Sequence, residues 1–258
     1  MTAPESRRIQ RYGWIPDLPD QRDHLYAAPR TVLEVLPSKV DLRDKCPKTV
    51  YDQGQLGSCT ANAIAAAFEF DLLRQNLADF MPSRLFIYYN ERARENTIAS
   101  DSGAMIRDGI KSVVKLGVCD ETEWPYQISR FADKPPARCY ADAKKNTAIG
   151  YQRVPRLLAQ CKGCLAHGNP IVFGFRVYES FESPEVAKTG DAPMPGPNEQ
   201  PLGGHAVLAV GYDDATRRFL VRNSWGPNWG DGGYFTLPYE YFTEPGLSSD
   251  FWALIEVS

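Results

Sequence analysis

The run CTANAIAAAFEFDLLRQ, residues 59–75, constrains this chain more than any other stretch. It is built from helix formers and is apolar nearly all round. A helix with no polar face cannot lie on a surface, so the rest of the chain must supply layers around it. The sequence predicts a buried central helix that begins near Ser58, just after the Gly-rich turn QGQLGS. With 258 residues, 43% of them hydrophobic, the chain has ample material for such an interior. The joint between turn and helix carries a cysteine, Cys59. Buried cysteines are usually inert small hydrophobes, so a chemical role for this one requires partners.

Two further helices are expected in the first half, in PSRLFIYYNERAREN from Pro82 and in SGAMIRDGIKSVVKLG, which closes at Gly117. The second half changes character. PIVFGFRVY, HAVLAVGY, RFLVRNSW, GGYFTL and FWALIEV read as strands. Between the first two of these, PEVAKTGDAPMPGPNEQPLGG carries five prolines and is expected to be a loop. That loop should border any cleft, because it leads straight into Gly203, Gly204 and His205. Helices first and antiparallel strands later indicate an α+β fold with two lobes.

Residues 1 to about 35 differ from the rest. They hold prolines at 16, 19 and 29 and follow no helical or strand period, yet Tyr12, Trp14 and Tyr26 argue against full disorder. The formal net charge of -3 and the lack of basic runs speak against a nucleic-acid surface. No stretch is long and apolar enough to be a transmembrane helix, so no membrane partner is expected. The N-terminus lacks the apolar core of a secretory signal: either the chain stays inside the cell or its signal is missing here.

A cysteine at a helix N-terminus feels the positive end of the helix dipole, which favours the nucleophilic thiolate. A neighbouring imidazole would favour it further, and there are only three histidines to consider. His24 lies in the Pro-rich arm, and His167 in LAHGNP has the ordinary use of capping a helix end. His205 differs: it begins an apolar strand directly after two glycines, where something can approach the ring. If HAVLAVGY and FLVRNSW form a hairpin, an even register puts Asn223 diagonal to His205 on one face. A slip of one residue puts it on the other. The asparagine amide would orient the imidazole. For the oxyanion that a thiolate attack creates, the Cys59 backbone N–H is one donor and the Gln53 side-chain amide a second. CKGC, with Cys161 and Cys164, is a lone pair without a matching second pair, so packing is the reading preferred to zinc or a redox dithiol.

These residues resemble the papain family of cysteine proteases over about residues 36–258. DQGQLGSC resembles the signature around the nucleophile, GGHAVLAVGY the histidine strand, and RNSWGPNWGDGGYF the asparagine block; WPY at 124–126 also recurs in the family. The interval from Cys59 to His205 falls within the roughly 130–150 residues of the papain pattern, with Asn223 somewhat beyond. The resemblance implies a two-lobed fold, a mainly helical lobe over about 50–127 and a β-barrel-like lobe over about 128–258, with the site in the cleft between them. It implies a catalytic set of Cys59, His205, Asn223 and Gln53, with Trp225 shielding the Asn–His hydrogen bond. Substrate would contact the strip at Gly103 and Ala104, a pocket wall at Met105 and Ile106, and Gly204.

The departures from the pattern are Thr60, where the family has an aromatic residue, and Leu56 and Asp101, where it has a disulfide. Residues 1–35 would be a short, Pro-rich propeptide of the kind found in a bacterial branch of the family, lying across the cleft. The expectation is therefore a monomeric endopeptidase acting on peptides or proteins, held as a zymogen and needing no cofactor or metal. The rivals are an acyltransferase using the same Cys–His chemistry and a binding protein on a decayed protease scaffold.

Overall fold

The computed structural model describes residues 12–258. Its helices are α1 (Arg30–Leu33), α2 (Cys59–Arg74), α3 (Arg84–Glu95), α4 (Ile106–Leu116), α5 (Ala137–Ala143), α6 (Leu158–Ala166), α7 (Pro184–Thr189) and α8 (Tyr239–Thr243). Its strands are β1 (Lys39–Asp41), β2 (Ala148–Arg153), β3 (Ile171–Tyr178), β4 (Pro201–Asp213), β5 (Arg218–Arg222), β6 (Tyr234–Pro238) and β7 (Ser248–Val257). The strands form one antiparallel sheet in the order β2-β7-β3-β4-β5-β6, with β1 added on β4.

Helix α2 is the centre. Every residue from Cys59 to Leu72 is buried. One side packs on α3 and α4, the other on β4 and β7. Its small side chains explain how: alanine at 61, 63, 65, 66 and 67 lets neighbouring backbones approach from several directions. The helix joins the helical layer to the sheet, so its N-terminus opens at the seam between them. Helix α3 begins where Ser83 accepts the Phe86 N–H at 3.2 Å, and α4 stops at Gly117, whose φ of 75° suits glycine.

The stretch 184–201 is not all loop. Its first turns form α7, and the local chemistry explains it: Ser183 caps the helix, Pro184 sits in the first turn, and Gly190 ends it in the left-handed region. Proline density points to a loop only where the prolines fall inside an element, not at its start. The chain from Asp191 onward is irregular and is tied to β6 by Ala192 N–H to Thr236 O, 3.1 Å. Strand β2 carries no alternating pattern because it is bulged around Gly150. Helix α6 starts after Pro155 and includes both Cys161 and Cys164, whose thiols donate to the carbonyls of Pro155 and Asn169.

Candidate active site

Strands β4 and β5 pair Leu208 with Arg222, and continuing that register by one sets Asn223 opposite Val207, diagonal to His205. The side chains meet: His205 Nε2 donates to Asn223 Oδ1 at 2.8 Å. The same oxygen accepts the Ser224 backbone N–H at 2.9 Å, so the amide is held with its oxygen toward the ring. With Nε2 committed to Asn223, Nδ1 is the imidazole nitrogen able to exchange a proton with a thiol. Trp225 stacks on the ring at 5.0 Å between centroids and 29°, while Phe175 and Tyr12 meet it edge-on. The imidazole is fully buried in this aromatic surround.

Cys59 is the first residue of α2 and is fully buried. Its sulfur lies by the backbone N–H groups of Ala206, next to His205 on β4, and of Gly13 from the N-terminal arm. A helix start by itself favours the thiolate. Burial outweighs it here and pushes the thiol up to about 12, with the Ala206 and Gly13 N–H groups only partly offsetting it. The reason is tertiary: the arm covers the sulfur and removes it from water.

Gln53 is also fully buried. Its backbone N–H and side-chain oxygen both reach Ser224, at 2.9 Å to the carbonyl and 2.7 Å from the hydroxyl. Its Nε2 donates to Leu56 O at 3.0 Å; an amide carries two N–H groups, and the second is the one an oxyanion would use. Tyr126, of the WPY motif, donates to Gln53 O at 2.8 Å and bonds the Ser58 hydroxyl at 2.5 Å. Arg84 stacks over that ring at 4.1 Å while paired with Glu121. Tyr126 and Ser224 therefore brace the turn before Cys59 from two sides.

The two positions that the resemblance pairs in a disulfide have a different solution. Leu56 is buried, and the Asp101 carboxylate accepts the Gly57 N–H at 3.1 Å on either oxygen as well as the Tyr88 hydroxyl. Thr60, where an aromatic would stand, donates at 2.6 Å to Glu91, a fully buried carboxyl that burial holds well above the usual range. In the sequence Asp101 stands out only as a departure; that it clamps the turn before Cys59 depends on the fold.

The strip that the resemblance assigns to substrate is occupied by the chain itself. Ala104 N–H donates to Gly13 O at 2.8 Å, Ile15 N–H donates to Ala104 O at 3.0 Å, and Trp14 N–H donates to Gly204 O at 2.9 Å. Residues 13–15 thus hydrogen-bond both walls, running parallel to the strip at Ala104. The Trp14 indole fills the space over Gly174 and Gly204, where a Cβ would come within 2.0 and 2.5 Å of it. Its Nε1 donates to Asp250 at 3.1 Å. Gly103, at φ 74°, faces Gly13, and Ile106 is fully buried at the start of α4. Met105 is half-buried, with its N–H on Glu95 at 2.8 Å. Residues 1–11 lie outside the described part of the chain.

The chain is similar to known proteins along most of its length. The family described as papain family cysteine protease matches residues 36–253. The solved structure of xylellain, a cysteine protease from Xylella fastidiosa, is similar at 48% identity and a TM-score of 0.90, with 96% of each chain covered. An uncharacterised peptidase C1-like protein of Acanthamoeba polyphaga mimivirus is 43% identical over 273 residues, 96% of this chain and 88% of its own. Procathepsin L 3 from the larval midgut of Tenebrio molitor shares the fold at 19% identity and a TM-score of 0.69, over 91% of this chain and 75% of its own.

Proposed function

The chain belongs to the papain family of cysteine proteases, and on that premise we propose that it is an endopeptidase working through Cys59 and His205 and made as a zymogen. The observation that carries this reading is the hydrogen bond from His205 to Asn223 Oδ1, on the strand whose next N–H, that of Ala206, lies at the Cys59 sulfur. With the arm displaced, the thiol regains water and loses the burial that holds it neutral, and its proton passes to Nδ1 of His205. The thiolate adds to the scissile carbonyl carbon. The Cys59 N–H and the second Gln53 N–H hold the oxygen that becomes negative. His205 returns its proton to the departing amine, then takes one from the water that releases the acyl group.

The contacts of Gly13 support the zymogen reading. The Gly13 N–H bonds the sulfur, and the Gly13 carbonyl is turned to Ala104. Residues 13–15 fill the cleft between Ala104 and Gly204. Only glycine fits there, because a Cβ on residue 13 would lie 1.7 Å from Gly57 O.

A thiol-directed vinyl-sulfone probe tests the chemistry. It should label Cys59 in the arm-released protein and fail on Cys59→Ala, which should also lose peptide hydrolysis while keeping its fold. Wild-type turnover in Cys59→Ala would end this assignment.

A further inference from the structure

The N-terminal segment is of two physical kinds, and the change comes near residue 22, not at residue 35. From Leu18 to Arg22 the chain is a surface turn. Leu18 is 68% exposed, the Arg22 side chain 87%, and Pro19 and Gln21 are exposed as well. From Asp23 onward it is built into the domain. Asp23, with only 4% of its side chain exposed, holds the Arg107 guanidinium at 2.7 Å and that of Arg153 at 3.3 Å. Residues 24–26 lie along β2: Arg153 N–H donates to His24 O and Tyr26 N–H to Arg153 O, each at 2.8 Å. Tyr26, 5% exposed, reaches His167 Nδ1 at 3.2 Å. Ala28 and Leu33 press on α6 at Gly163, where a Cβ would come within 2.6 and 2.9 Å of them, and Ala28 N–H donates to Gln160 at 2.8 Å.

We propose that activation cuts the chain at a bond between Pro19 and Asp23, and that residues 23–35 remain as a permanent part of the catalytic domain. This rests on the zymogen reading above. Removing residues 23–35 would uncover α6 and leave the buried Arg107 guanidinium without its closest carboxylate, a costly change. Removing residues up to 22 takes away the cleft-bound piece and the contacts of Asp17 and Leu18 with Trp252, Asp250 and Arg107, but leaves the buried Asp23 carboxylate on Arg107 and Arg153. The cut is made in trans, by a second protease or a second copy of this chain, since Cys59 lies under Gly13 and the turn lies along α4, with Asp20 at 3.6 Å from Lys111. Water adds across one peptide bond. The leading segment keeps the new carboxylate and the domain the new amino group. Once cut, the segment loses the effective concentration its tether gives it and dissociates.

The full chain, briefly digested with an arginine-directed protease and dialysed, tests this. Intact mass and N-terminal sequencing should show a product beginning at Asp23, with Arg30 in α1 uncut. Vinyl-sulfone labelling of Cys59 should be about tenfold faster or more in that product. Tyr26→Ala in the same cut protein should lower its melting midpoint by about 5 °C or more. An active product that starts at Thr31 or later and melts like the longer one would overturn the proposal. So would an unchanged midpoint for Tyr26→Ala, or a product starting at Asp23 that labels no faster than the uncut chain. A product that labels quickly but hydrolyses no peptide would instead overturn the peptidase reading, leaving the boundary to be read from mass and melting.

Discussion

At Cys59 two effects oppose each other. The helix start favours the thiolate by a fraction of a charge, while complete burial under the arm penalises it. Burial wins because Gly13 sits on the sulfur, and that contact depends on the lack of a side chain. Gly13→Ala should therefore push the arm out of the cleft and raise the initial rate of the full chain; an unchanged rate would show that the arm does not limit access. Gln53 is the other single residue open to a clean test. Gln53→Ala should lower kcat by about 10²–10³-fold with KM little changed, the usual loss for one oxyanion donor. A rise in KM alone would remove it from that role. His205→Ala should be as severe as Cys59→Ala, because nucleophile and base act as a unit.

At the level of elements, the turn before α2 is held without a covalent bridge. Asp101 grips it through the Gly57 N–H and the Tyr88 hydroxyl, and Tyr126 grips it through Gln53 O and Ser58. A charge-assisted bond of this kind fixes a backbone amide well, but more loosely than a disulfide. Asp101→Ala should lower kcat by about tenfold, the scale expected when a positioning contact beside the proposed oxyanion donors is lost. Asp101→Asn, which keeps an acceptor, should recover most of it, and equal losses in the two variants would point to the charge and not the clamp. Helix α7 shows the same economy of local signals. Its cap and first-turn proline make a helix in a stretch whose composition reads as loop, and the chain beyond it, at Pro201 and Leu202, borders the space around Trp14.

Across the whole molecule, the arm docks through a charged cluster. Asp17 accepts from Trp252 Nε1 at 2.8 Å and from the Arg107 N–H at 3.1 Å, and its own N–H donates to Asp250 at 2.8 Å. Arg107, Arg153 and Asp23 surround the pair. Burial first, and the Asp250 carboxylate second, raise Asp17 to about 6 in the docked arm. A free aspartate titrates near about 3.9, so the docked state takes up a proton between those values. Asp250 is raised too, again mainly by burial. The stabilisation is fully present below about pH 4 and is lost as pH rises through about 6. The arm should therefore loosen toward neutral pH. The rate of the full chain relative to Gly13→Ala should climb between about pH 5 and 7, and a ratio that stays flat across that window would count against this linkage.

Much of this protein is legible in its amino-acid sequence alone. An all-apolar helix can only be central, apolar runs rich in β-branched and aromatic residues between turn signals build a sheet, and a thiol, an imidazole and an amide in long specific motifs point to one chemistry. Those features are local in sequence, and local patterns survive folding. The hairpin register of β4 and β5 was not legible, since an even pairing and a slip by one residue satisfy the same apolar runs. The packing of whole strands decided it. Nor was the clamp at Asp101, which joins residues far apart in the chain. The raised thiol was hidden for the same reason: helix dipoles are read from sequence, but burial is a property of what lies on top. What only the tertiary structure decided was thus set by long-range contacts: which segment covers the sulfur, and where that segment stops being a cover and becomes part of the domain.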